Sequence, residues 1–328
     1  MNAALGTRTE SVTQVLRDLD HAYAAGTVTP SEVPTGLASL DIHLGGALRA
    51  GDLAILAGAQ GVGKTTLALQ AVRNVAASGR PATYVCFEHS ATELVERLVV
   101  MEANLAVGDS APSLGEVHDL LGRPGTGGLG ERLGHLPGME RALAAVEEYG
   151  AWLTIVEARG EQTTVSDVHA AASRHSYAGL LVVDYVQKLR SDQSRASSDV
   201  GHVATTLKDI ALDTGQVVLA VSALEREGLV AHRVRARHLK GSVVLAYEAD
   251  VILVLQRKWD VVARDQLVFN LAAAQRLHDW VVLSIEKNRH GEDRVDLAFR
   301  KRLSRGYFDP DGHVEDDPLL DERLVVGQ

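Results

Sequence analysis

The sequence predicts an α/β fold, a largely parallel twisted sheet flanked by helices on both faces and preceded by one short amphipathic helix. Three observations predict it. From Leu37 onward, apolar runs of strand length alternate with segments of helical spacing. One such junction carries Gly58-Ala-Gln-Gly-Val-Gly63-Lys64-Thr65, the pattern G-x-x-x-x-G-K-[ST]. A later apolar run, Leu180-Leu-Val-Val, ends in the carboxylate of Asp184.

Residues 10–25 place Val12, Val15, Leu16, Leu19, Ala22 and Tyr23 at helical spacing. A linker follows, so residues 1–32 form an N-terminal helix and linker, and 33–309 the main domain. Strands are expected at 53–57, 83–87, 152–156, 180–183, 217–221, 251–255 and 281–285. Helices are expected at 64–78, 90–103, 139–149, 165–176 and 199–214. Ser90 with Glu93, and Thr164 with Asp167, read as capping boxes opening two of them. The stretch 108–138, dense in glycine and proline, reads as a mobile surface excursion, either a tolerated insertion or a partner-binding element. Residues 310–328 read as an acidic, frayed tail.

Composition narrows the function classes. The 328 residues are 46% hydrophobic and 23% charged, ordinary for a soluble globular protein. No apolar run approaches the roughly 20 residues of a membrane helix, and no secretory signal is read at the N-terminus. A single cysteine, Cys86, allows no internal disulfide and makes the cytoplasm the expected compartment. Thirty-three bases against 43 acids give a net charge of −10, which argues against a surface coated by nucleic acid but not against a local basic patch.

The phosphate-binding motif has a physical basis. Glycines let the loop curl so that successive backbone N–H groups converge on phosphate oxygens, and the following helix adds its positive dipole end. Gly58, Gly61, Gly63, Lys64, Thr65 and Thr66 are therefore the expected ATP-binding set. Lys64 would reach the β- and γ-phosphates, while Thr65 and Asp184 would ligate Mg2+. Glu88, at the end of the next strand, would orient the attacking water if that strand lies beside the P-loop strand. Its alternative role is to favour the 90–103 helix through the dipole.

These motifs, in order and spacing, resemble the C-terminal motor domain of DnaB-type replicative helicases, a RecA-like P-loop ATPase. The likeness covers Thr35-Gly36-Leu37 with Leu40-Asp41, the P-loop, Phe87-Glu88-His89-Ser90, Asp184-Tyr185-Val186-Gln187, Ala249-Asp250 and Lys287-Asn288-Arg289-His290-Gly291. RadA and KaiC are similar at the P-loop and fit less well around Glu88 and Asp184. The resemblance implies that Glu88 is catalytic and that Lys287 and Arg289 reach into a neighbouring subunit's ATP site, within a closed ring of about six copies. Three features depart from it. The large helical N-terminal domain is not seen, Ala223 stands where the family carries a polar sensor, and the chain is acidic.

The segment 231–240 carries Arg233, Arg235, Arg237 and Lys240 and no acid. The resemblance places a DNA-gripping loop there, and alternate arginines on an extended segment would project to one side. A solvated basic loop or a contact to the acidic tail is the competing reading. Single-stranded DNA is thus one expected partner. An unidentified protein, switched as KaiC-like ATPases switch theirs, is the other.

Overall fold

The computed structural model describes residues 11–27, 31–160, 162–174, 178–192, 200–262 and 276–320. Residues 321–328 of the expected acidic tail, the ends of several expected elements (residues 10, 175, 176 and 199) and residues 28–30 of the linker lie outside them. The chain divides into two units, Met1–Ser31 and Glu32–Gln328.

The first unit holds α1 (Val12–Ala24), which Ser11 caps by accepting a hydrogen bond from the Gln14 N–H, and none of its residues is buried. The second holds, in chain order, β1 (Glu32–Val33), α2 (Ala38–His43), β2 (Leu48–Arg49), β3 (Leu53–Gly58), α3 (Lys64–Ala77), β4 (Ala82–Cys86) and α4 (Ala91–Val107). Then come α5 (Leu114–Gly122), α6 (Leu129–Leu133), α7 (Met139–Gly150), β5 (Leu153–Glu157), α8 (Val165–Ala172), β6 (Leu180–Asp184), α9 (Val200–Thr214) and β7 (Val217–Ser222). The chain continues through α10 (Arg226–Val230), α11 (Ser242–Glu248), β8 (Val251–Arg257), α12 (Lys258–Val261), β9 (Trp280–Asn288), β10 (Val295–Arg302), β11 (Tyr307–Phe308) and β12 (His313–Val314).

The main sheet runs β11-β10-β9-β8-β3-β7-β6-β4-β5, with β12 also on β10. From β8 to β5 every pairing is parallel, whereas β9 to β12 add an antiparallel edge. The fold is the expected RecA-like α/β class. Each buried strand divides its side chains between two cores: on β3, Ala54 and Leu56 face the α3 side, while Leu53, Ile55 and Ala57 face the α9 side. Because both faces are covered, these strands read as continuous apolar runs rather than alternating ones.

Two expectations are corrected. The strand preceding Glu88 does not lie beside the P-loop strand: β3 is flanked by β7 and β8, while β4 pairs with β6 and β5. The 108–138 stretch is not a loose excursion. It holds α5 and α6, whose Val117 and Leu133 join Val99, Val100, Ala103, Met139 and Ala142 of α4 and α7 in a third apolar core. Its prolines and most of its glycines serve the turns between short helices, while Gly115, Gly122 and Gly130 lie within α5 and α6. Ser113 and Glu116 form a capping box at the start of α5, the same signal that was legible at Ser90 and Thr164.

Candidate nucleotide site and its surroundings

Strand β3 delivers the P-loop at its C-terminal end, and α3 leaves it with Gly63 as N-cap at φ 109°. A side chain at Gly63 would be strained by that angle. It would also meet Phe308 at 2.6 Å, and one at Gly58 would strike the Leu255 carbonyl. The glycines are thus demanded by close approach from β8 and β11 as well as by the curl of the loop. From behind, Gln70 on α3 exchanges two hydrogen bonds with the Phe308 backbone, at 2.9 and 2.8 Å. Thr66 is buried in the first turn of α3.

Lys64 lies across the mouth of its own loop, donating to the Gly58 and Ala59 carbonyls at 2.9 Å each. Burial pushes its pKa down, against the opposing pull of Asp184 and Glu88. That pull brings β4 back into the site: although two strands separate it from β3, Glu88 lies close enough to act on Lys64. The strand between β4 and β7 carries Asp184, 4% exposed, whose Oδ2 accepts from the Thr65 hydroxyl and from the Tyr84 hydroxyl, both at 2.7 Å. Both bonds fall on one oxygen, and Oδ1 has no partner among the described residues. Tyr84 is fully buried on β4 and its own pKa is raised, first by desolvation and then by the Asp184 charge.

Glu88 follows β4 and is half exposed; Lys188 approaches its Oε1 at 3.4 Å. Gln187 ties this corner to the end of β7, donating to Ser222 Oγ at 2.8 Å and accepting from the Ala223 N–H at 3.0 Å. The apolar side chain of Ala223 therefore does not leave the position isolated, because its backbone is the contact. On the other side of the loop the Arg257 guanidinium reaches the Gln60 carbonyl at 3.4 Å.

Lys287 and Arg289 stand elsewhere. Asp250, at the start of β8, accepts from the Leu53 N–H at 2.8 Å, from Lys208 at 2.6 Å and from Arg289 at 2.9 Å. Arg289 also donates to the Tyr247 carbonyl, and Lys287 to the carbonyls of Ala246, Tyr247 and Ala249 at the end of α11. Since Leu53 opens β3 and Gly58 closes it, Arg289 is separated from its own P-loop by the length of that six-residue strand, roughly 17 Å at the usual rise.

The basic segment departs from its expected form. Arg233 is buried and paired with Asp296 at 2.5 Å, and Arg235 pairs with Glu286 at 2.9 Å. The segment is not extended throughout, since residues Ala236–His238 make a short 3-10 turn. Arg237 and Lys240 are exposed. Tyr84, Lys188, Arg257 and Gln70 were missed in the sequence. Only Lys188, one residue beyond the Asp-Tyr-x-Gln motif, carried a signal.

Residues 21–227 match the sequence profile of the AAA domain family. The chain belongs to that family. It is an ATPase. The DNA repair protein RadA of Mycolicibacterium smegmatis is 32% identical over 170 residues, covering 52% of this chain and 32% of that protein. The replicative DNA helicase DnaB of Nostoc sp. is 25% identical over 201 residues, covering 59% of this chain and 20% of that one. This chain thus spans a third or less of the length of these two relatives. A solved structure described as an ATPase domain superposes with a TM-score of 0.71 at 17% identity, covering 92% of this chain and 99% of that one. A DnaB-like replicative helicase, solved for its interactions with primase, gives 0.68 at 18%, covering 92% and 68%. The fold is that of the DnaB-like helicase motor.

Proposed function

We propose that the chain is a ring-forming ATPase motor that couples hydrolysis to binding of, or movement along, single-stranded DNA. The observation that carries the proposal is the position of Arg289 beside the starts of β3 and β8, at the end of the strands opposite its own P-loop. An arginine there cannot reach its own nucleotide, but a head-to-tail copy would bring it to a neighbour's, as heterologous interfaces do when they close into rings. Relatives named as a replicative helicase and a DNA repair protein support DNA as the substrate.

In this reading Gly58, Gly61, Gly63, Lys64, Thr65 and Thr66 hold ATP, and Lys64 exchanges its two carbonyls for phosphate oxygens. Thr65 and Asp184 would hold Mg2+: they form a hard oxygen pair with one carboxylate oxygen uncommitted, suited to an ion that keeps waters and phosphate ligands. When bound, the ion neutralises charge developing on the β- and γ-oxygens. Glu88 orients the attacking water. Lys287 and Arg289 complete a neighbour's site after exchanging their present partners for phosphate.

A second reading has one observation in its favour. Arg233 and Arg235 of the 231–240 segment are neutralised internally, which weakens a phosphate grip there and favours an ATPase that switches a protein partner. ATP turnover of the full chain, measured with and without single-stranded DNA at low salt and alongside its mass in solution, separates the two. Stimulation in an oligomer supports the motor, and absence of both binding and stimulation refutes it.

A further inference from the structure

The ends of β4, β5 and β6 lie side by side and enclose a cavity of about 450 Å3. Phe87, Arg159, Gly160, Gln187, Lys188 and Arg190 line it, so three of its walls carry bases and none an acid. The Arg159 side chain is exposed and has no partner among the described residues. A Cβ added at Gly160 would come within 3.7 Å of Lys188 Cβ, so the loop after β5 lies against the turn after β6. Lys188 sits between this cavity and the ATP site, because its ammonium is 3.4 Å from Glu88, the neighbour of Phe87.

We propose that Lys188 restrains Glu88, and that a nucleic-acid phosphate bound between Arg159 and Lys188 draws the lysine away and frees the carboxylate. The inference rests on the DNA-coupled reading above and adds the contact through which the strand acts on hydrolysis. A carboxylate shared with an ammonium is pulled off the line to the attacking water. A phosphodiester competes for that ammonium with the help of a second, unpaired cation. The side chains of Lys188 and Glu88 are 37% and 48% exposed, so the pair is easily broken. A restraint meant to be relieved by one phosphate has to be of this strength. Gln187, bonded to Ser222 and Ala223, keeps the turn bearing Lys188 in place while its side chain moves.

The test measures turnover of the full chain alone, with oligo(dT), and with inorganic phosphate. Lys188→Ala should raise basal turnover about two- to fivefold, the worth of an exposed ion pair, and bring the ratio of DNA-stimulated to basal turnover toward one. Lys188→Arg should keep both the low basal rate and the stimulation. Arg159→Ala should weaken oligo(dT) binding and shrink the same ratio. Inorganic phosphate should not substitute for the strand; equal stimulation by it would overturn the nucleic-acid assignment. If the unaltered protein is not stimulated by oligo(dT), the DNA-coupled reading and this inference fall together. If it is stimulated and Lys188→Ala matches it in basal rate and ratio, or has a lower basal rate, only the inference is overturned.

Discussion

Arg289→Ala is the perturbation that tests the architecture most directly. In the isolated subunit Arg289 holds Asp250, a buried carboxylate, but Asp250 keeps Lys208 at 2.6 Å and the Leu53 N–H at 2.8 Å when the arginine is removed. No buried charge is orphaned, so the stability cost should be near that of a partly exposed ion pair, at most about 1 kcal/mol. Catalysis should suffer far more, because an arginine on the transferring phosphoryl group is worth about 10³ to 10⁵ in turnover. The two losses can be separated by thermal melting and steady-state ATP hydrolysis on the same preparation. Mixing then decides between action in cis and in trans. In an equal mixture of Arg289→Ala and Lys64→Ala subunits, about a quarter of head-to-tail junctions pair an intact P-loop with an intact arginine. Each parent should be inactive and the mixture partly active. Full activity of Arg289→Ala, or of a strictly monomeric preparation, would refute the reasoning.

Other outcomes follow from the same geometry. Lys64→Ala should abolish turnover and leave the melting temperature near that of the parent; unchanged hydrolysis would remove Lys64 from the site. Glu88→Gln should bind ATP and stall before hydrolysis, and a normal rate would pass the water to another group. Tyr84→Phe removes one hydrogen bond to a charged carboxylate and should cost about 1.5–3 kcal/mol of stability, read by denaturant unfolding, with weaker binding of Mg-nucleotide; an unchanged midpoint and affinity would contradict the role given to the Tyr84–Asp184 contact. Arg233→Ala should destabilise by about 3 kcal/mol, since it strips the partner from a largely buried pair, and a stable variant defective only in DNA binding would restore the phosphate-grip role. Bonds from the Ser90 and Ser113 N–H groups hold Glu93 and Glu116 below the usual glutamate value of 4.5. Their contribution is complete above that value and is lost as pH falls through the depressed folded values. Amide protection factors in the first turns of α4 and α5 should fall on acidification, and Glu116→Gln should remove that dependence in α5 only.

Much was legible because the physics is local. The P-loop needs its glycines, its lysine and its threonine in one unbroken stretch, with an apolar run before and a helical pattern after. Ser90 and Thr164 are read with their partners three residues on, since a helix's first turn is closed by residues within it. The central strands announce themselves by continuous apolar runs because both faces are covered, whereas charged residues break up β10, and β11 and β12 are only two residues each. The helical core around Val117 and Leu133 was hidden by the glycines and prolines of its turns.

What the sequence by itself determined was therefore the ATPase core and the identity of the groups that could serve it. Tertiary structure decided which groups meet. No pattern along the chain says that two strands separate β4 from β3 while Glu88 still acts electrostatically on Lys64, or that a tyrosine in an apolar strand bonds Asp184, 100 residues away. Charge counted along the sequence made 231–240 a basic stretch; the fold sets Asp296 and Glu286, from the antiparallel edge, against two of its arginines. The antiparallel direction of β9 also placed Arg289 at the end of the strands away from its own P-loop. The reason is common to all of these. Hydrogen bonds, ion pairs and dipoles act over a few ångströms, and only the packing of the sheet determines which distant residues come within that range.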